Sequence, residues 1–227
     1  MEVDAVILAR GGSRGIPRKN IINFCGKPLL YWTIKHCLSS KYIRDIWVSS
    51  DSDEILEYAQ KFGTKVISRP DSISNHNVSS EDSWLHALDV IEKQNNLTDV
   101  ILGPQVTSPL RESSDIDRAI EKFENGNYDT MFSSSSTEDL FIWEEAKNGK
   151  LNSSNYDYLS RKRRQDLPKQ IIENGSFYLF KPSIIRKYNN RLGGKIGSIE
   201  MDYWKMFEID TWDDVKMCSS LMKEFLL

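Results

Sequence analysis

Residues 5–20, Ala-Val-Ile-Leu-Ala-Arg-Gly-Gly-Ser-Arg-Gly-Ile-Pro-Arg-Lys-Asn, constrain this chain more than any other stretch. An apolar β-type run passes straight into a loop that is both glycine-rich and cationic. Gly11, Gly12 and Gly15 remove Cβ atoms where the backbone must turn and let amide groups approach an anion. Arg10, Arg14, Arg18 and Lys19 supply the opposing charge. A turn carrying solvated arginines is the plainer reading, but four cations within ten residues repel one another unless an anion lies among them. Neither Gly-x-x-x-x-Gly-Lys-Ser/Thr nor Gly-x-Gly-x-x-Gly is present, which argues against a P-loop NTPase and a dinucleotide dehydrogenase. The loop predicts a nucleoside triphosphate as ligand.

Short β-type runs alternate with longer helical patterns, the signature of a mostly parallel sheet covered by helices in three layers. Strands are expected at 4–8, 43–49, 65–68, 99–102, 128–133, 176–180 and 206–209. Helices are expected at 28–39, 53–62 and 115–123, after a Ser79-x-x-Asp82 capping box, and from a Thr211-x-x-Asp214 box onward. Between 134 and 171 serines, asparagines and charges replace clean periodicity, so this segment is the candidate insertion in an otherwise single 1–227 domain. It also carries Leu140, Phe141, Ile142, Trp143, Tyr156, Tyr158 and Leu159, an apolar load that predicts a crossing to a partner subunit.

A net charge of −3, from 30 basic and 33 acidic side chains in 227 residues, provides no global field for nucleic acid or an acidic membrane. The apolar runs are too short to span a bilayer and the N-terminus lacks a signal-peptide core, so a cytoplasmic protein is expected. Cys25, Cys37 and Cys218 form neither a disulfide framework nor a zinc pair, and His36, His76 and His86 have no metal-pair spacing.

Four further clusters carry possible chemistry. Ser49-Ser50-Asp51-Ser52-Asp53 follows the second strand, where Asp51 or Ser52 can face a ligand or cap the next helix. Gln105, at the exit of the strand at 99–102, suits the edge of a base or sugar, while Arg111 fits either an anion or a buried tie between loops. Arg161-Lys162-Arg163-Arg164 is a solvated run or a second cationic wall. Glu208 and Asp210, on one face of the expected strand, suit Mg²⁺ shared with substrate phosphates; the alternative has Asp210 capping the last helix.

These segments together resemble the acylneuraminate cytidylyltransferases over nearly the full chain. The resemblance rests on 9–20, Arg69-Pro70, Ser79-Ser80-Glu81-Asp82, 105–111, Arg164-Gln165-Asp166-Leu167-Pro168, Asn174-Gly175 and Glu208-Ile209-Asp210-Thr211. It implies a nucleotide-diphospho-sugar transferase-like α/β fold, CTP, a nine-carbon 2-keto sugar acid, Mg²⁺ and a homodimer. By the same resemblance Ala9, Arg10, Gly11, Gly12, Ser13, Lys19, Asn20, Arg69 and Ser80 bind the nucleotide. Gln105 and Arg164 face the sugar, Glu208 and Asp210 hold the metal, and Lys19, Arg10 and Asp210 carry catalysis. The family's first metal position is usually aspartate, so Glu208 is a departure, and sialic, legionaminic and pseudaminic acids all stay open as acceptors. An eight-carbon acid such as 3-deoxy-manno-octulosonate, or a silent nucleotide-binding protein of the same fold, is the alternative.

Overall fold

The computed structural model describes residues 1–227 other than 14, 76–77, 95–96, 138–139 and 167–168, with Arg164 described without its side chain. Its elements in chain order are β1 (Val3–Leu8), β2 (Asn23–Phe24), β3 (Lys27–Pro28), α1 (Leu29–Leu38), β4 (Ile43–Ser50), α2 (Asp53–Lys61), β5 (Lys65–Ser68), α3 (Ser80–Lys93) and β6 (Ile101–Pro104). There follow α4 (Ser113–Asn125), β7 (Thr130–Thr137), β8 (Trp143–Glu145), β9 (Leu151–Ser153), β10 (Gln170–Phe180), α5 (Pro182–Tyr188), β11 (Ile196–Met201) and α6 (Trp212–Phe225).

Seven strands form the main sheet in the order β11-β7-β10-β6-β1-β4-β5. The pairs β11–β7, β6–β1, β1–β4 and β4–β5 are parallel, whereas β10 runs antiparallel to both β6 and β7. Side chains alternate faces along β1. Val3, Ala5 and Ile7 enter a core with Leu30 and Ile34 of α1, Ile116 and Ile120 of α4, and Cys218 and Met222 of α6. Val6 points the other way, into a core with Trp84, Leu88 and Ile91 of α3 and Ile185 of α5. Two apolar cores on opposite faces make the three layers, and fully burying a side chain such as Leu88 contributes about 1.5–3 kcal/mol.

The chain steps from β1 to β4 and β5 on one side and then returns to place β6 on the other. The carboxyl ends of β1 and β6 therefore part, which opens a crevice at the switch point. No helix among the described residues is long and apolar enough to cross a membrane.

Three expectations are corrected. Residues 206–209 form no strand: a 3-10 turn, Tyr203–Met206, is followed by Phe207 in extended conformation, and the Ile209 amide donates to the carbonyl of Thr107, in the loop after β6, at 2.8 Å. The sheet edge is taken by β11, which the sequence reading missed together with α5. The loss of period at 134 is not the end of a strand either. β7 runs to Thr137 and β10 starts at Gln170, because the buried serines between them are satisfied by hydrogen bonds. Ser134 Oγ donates to the Ile199 carbonyl at 3.1 Å, Ser133 Oγ accepts from the Phe177 amide at 2.9 Å, and Ser135 Oγ accepts from Asn174 Nδ2 at 3.0 Å.

Candidate active site

A cleft of about 370 Å³ lies over the crevice, within the range of small-molecule sites. Its lining includes Arg10, Ser13, Lys19, Arg69, Ser80 and Gln105, with Asp210 at one edge. Residues from five separate stretches of sequence thus meet in one place.

The loop after β1 is tied down by its own chain. Ala9 is buried and its amide donates to the Ser49 carbonyl at 3.0 Å. The Gly11 amide donates to Asp51 Oδ1 at 2.8 Å, so it points at a carboxylate within the protein and is not directed toward a bound anion. Asp51 also stands 3.7 Å from an Arg69 nitrogen, and Arg69 Nε donates to Ser74 Oγ at 3.0 Å. This resolves the Asp51 alternatives. Ser52 is the N-cap of α2 without a side-chain cap bond, and Asp51 organises the loop and the buried Arg69. Burial pushes the Arg69 guanidinium below its ordinary value, with the charge of Arg10 adding to the effect and Asp51 opposing it.

Asn20 is buried and its Nδ2 donates to the Arg10 carbonyl at 2.8 Å, which shapes the loop from inside. Gly12 is exposed and is not part of the cleft lining. Gly15 has a steric reason, since a Cβ there would collide with the Asp210 carbonyl oxygen. The four loop cations do not all converge. Arg18 leaves to pair with Glu54, and Arg14 lies outside the described residues. Lys19 stays, donating to Asp210 Oδ1 at 2.7 Å and to the Ile209 carbonyl at 2.9 Å.

Thr211, not Asp210, caps α6: its hydroxyl accepts from the Asp214 amide, and Asp214 accepts back from the Thr211 amide at 2.7 Å. The Asp210 carboxylate is thereby left for Lys19 and the cleft. Glu208 sits deeper, against Gly175, where φ is +66° and a Cβ would strike its carboxylate oxygen. Gly175 lies within the irregularity of β10 between Glu173 and Tyr178, so the strand bends to admit Glu208. Burial raises the Glu208 carboxyl, and the nearby Asp210 charge raises it further, against Arg111 and Lys19. The Glu208 and Asp210 carboxylates supply hard oxygen donors, which suit Mg²⁺. No group of three or more metal-ligating side chains occurs among the described residues, and Mg²⁺ commonly completes its shell with substrate oxygens and water.

Arg111 is structural. It is fully buried, donates to Thr33 Oγ1 at 3.0 Å, to Ser176 Oγ at 3.1 Å and to the Ser176 carbonyl at 2.9 Å, and also bonds the Gln105 carbonyl. Burial pushes its guanidinium down to about 10. It holds the Gln105 backbone in place while the Gln105 side chain lines the cleft beside Thr107. Arg164 opens a 3-10 turn, Arg164–Asp166, and its side chain falls outside what is described. Arg191, in the turn between α5 and β11, lines the cleft and was missed; it sits alone between asparagine and leucine with no local motif to mark it.

The sequence profile of the family described as Cytidylyltransferase matches residues 5–217. The chain is 35% identical over 211 residues to N-acylneuraminate cytidylyltransferase A of Danio rerio, covering 92% of this chain and 48% of that protein. It is 34% identical over 179 residues to a pseudaminic acid cytidylyltransferase of Campylobacter jejuni, covering 76% of this chain and 75% of that one. The chain thus spans about half the length of the Danio relative it matches. The solved structure of CMP:2-keto-3-deoxy-manno-octonic acid synthetase complexed with CTP superimposes over 100% of both chains with a TM-score of 0.74 at 15% identity, a likeness of fold. The architecture is that of the nucleotide-diphospho-sugar transferase-like α/β proteins. With a matching profile, relatives at this identity and a cationic glycine loop at the carboxyl end of β1, the chain belongs to the cytidylyltransferase family.

Proposed function

We propose that this chain transfers CMP from CTP to the anomeric hydroxyl of a nine-carbon 2-keto sugar acid of the sialic, legionaminic or pseudaminic type, in the cytoplasm, with release of pyrophosphate. The observation that carries the reading is the meeting of Lys19 and Arg10 with Gln105 and Asp210 around one cleft. The names of the relatives support a cytidine nucleotide and an acidic sugar.

The hydroxyl oxygen attacks the α-phosphorus and gives its proton to solvent, the bond to the bridging oxygen breaks, and the pyrophosphate takes the electron pair. Lys19 and Arg10 hold the charge that grows on the leaving group. Lys19 begins at the cleft edge, paired with Asp210, so its ammonium needs only to exchange one anion for another. Arg69 and Ser80 bind the base and ribose, Asn20 keeps the loop in shape, and Gln105 orients the sugar. Glu208 and Asp210 would hold Mg²⁺, whose contribution when bound is to neutralise phosphate charge and acidify the attacking hydroxyl.

We further propose that the stretch between β7 and β10, narrower than the expected 134–171, forms an insertion in a single 1–227 domain, pairs two subunits and brings Arg164 to the partner's sugar site. Exposed Trp143, Tyr158 and Leu159 support this reading.

The test is to incubate the purified chain with CTP, Mg²⁺ and separate nine-carbon and eight-carbon sugar acids, reading pyrophosphate. Release with a nine-carbon acid is expected. Release only with 3-deoxy-manno-octulosonate would move the assignment to that acid, and silence with every acid would overturn it.

A further inference from the structure

Trp84 of α3 and Tyr178 of β10 meet edge to face, with ring centroids 6.4 Å apart at 68°. Trp84 closes over Gly103 of β6, where a Cβ would strike its ring. An aromatic wall therefore stands on the face of the sheet that α3 covers, over Gly103 of β6 and beside Tyr178 of β10. The Arg191 guanidinium lies on that wall, 4.7 Å from the Trp84 centroid and 4.8 Å from that of Tyr178. Its Nε donates to Glu81 Oε1 at 2.7 Å, and the two side chains are only 19% and 13% exposed. Three contacts thus fix one planar cation, which lines the cleft in company with Gln105. Among the described residues its two terminal nitrogens have no hydrogen-bond acceptor.

The charge balance decides what such a group recognises. Phosphate in this cleft has Arg10 and Lys19, whereas Arg191 is already neutralised by Glu81 at contact distance. A neutral pair with free N–H groups on an apolar wall offers directed donors without net charge, which suits an uncharged oxygen more than a second anion. We propose that Arg191 is a specificity-determining residue that donates to a neutral oxygen of the acceptor sugar, either an acyl carbonyl or a hydroxyl of its exocyclic substituents. This rests on the acceptor reading given above.

The experiment compares the wild-type chain with Arg191→Gln and Arg191→Lys. The acceptors are N-acetylneuraminate and the nine-carbon acid bearing a hydroxyl in place of its acylamino group, and CTP binding is measured separately by calorimetry. Arg191→Gln should raise acceptor KM by about 10- to 100-fold, the effect of removing a hydrogen bond from a charged donor, with CTP affinity unchanged. Arg191→Lys keeps the charge, loses the planar fork and should recover only part of the loss. A loss confined to the acylated acid identifies the carbonyl as partner, and an equal loss on both acids identifies a hydroxyl. Unchanged acceptor KM, or an equal weakening of CTP binding, in a variant with wild-type melting temperature would overturn the inference alone. Absence of turnover by the wild-type chain with every acid would instead overturn the proposed function, and this inference with it.

Discussion

The glycine loop after β1 and the hairpin of β8 and β9 are both irregular in sequence, yet they are held in opposite ways. The loop is fixed by distant parts of its own chain, Gly11 by Asp51 and Lys19 by Asp210, and from within by Asn20, which donates to the Arg10 carbonyl. The hairpin region, among the described residues, is tied by its own side chains and by Asn155 with Gln170 at the start of β10. Trp143 stacks near Tyr156 and Tyr158, Phe141 against Tyr156 at 4.5 Å with Arg161 above it, and Trp143 and Tyr158 are still 42% and 55% exposed. A region anchored by long-range hydrogen bonds is preorganised for a small ligand. A region whose aromatic rings meet only one another presents surface that a larger partner can cover.

The strongest way to break this comparison is at Lys19. Lys19→Ala should lower kcat/KM for pyrophosphate release by about 10²–10³, the scale of one charge-stabilising donor, with an unchanged circular dichroism spectrum. Near-normal turnover at saturating CTP would show that the preorganised loop serves some other end.

The hairpin side is tested by Trp143→Ser with Leu159→Ser. If these side chains are anchors between subunits, sedimentation should show a dimer for the wild type and self-association weakened by about 30-fold or more in the variant, as for an interface hot spot. A monomeric wild type would remove the contrast. Mixing Lys19→Ala chains with Arg164→Ala chains sharpens the same point: activity returns if two subunits share a site.

A smaller effect is expected at Asp51, which is not among the cleft-lining residues but holds Gly11 and flanks Arg69. Asp51→Ala should raise the KM for CTP about 10-fold with little change in kcat, the size of one lost charge-assisted hydrogen bond. A fall in kcat with constant KM would mean that Asp51 acts on the reaction itself.

The mildest effect concerns stability. The folded Glu208 carboxyl lies above its ordinary value of 4.5, so folding disfavours the ionised form. Its contribution is therefore intact below about pH 4.5 and is lost as pH rises through the folded value. Without Mg²⁺, Glu208→Gln should melt with the wild type in acid and above it at pH 7. An equal melting temperature across the range would show that burial and Asp210 do not burden the site.

The alternating β–α order, the strand at 65–68 and both capping boxes, Ser79 with Asp82 and Thr211 with Asp214, were legible because each is a local signal with a period or a fixed offset. That Arg10, Lys19, Gln105 and Asp210 meet around one cleft was expected because each follows a strand or closes a motif at the same end of the sheet. β11 and α5 were not, since one is a short edge strand carrying Glu200 and the other has just seven residues, too few for a period to emerge.

What only the tertiary structure decided is how charges are partitioned. Arg18 turns to Glu54, Lys19 to Asp210, Arg111 into the core and Arg191 onto an aromatic wall beside Glu81. All four are the same kind of residue in the sequence. Their roles differ because a cation is defined by the anion or ring it reaches, and the partners of Arg18, Lys19 and Arg191 lie 36, 191 and 110 residues away.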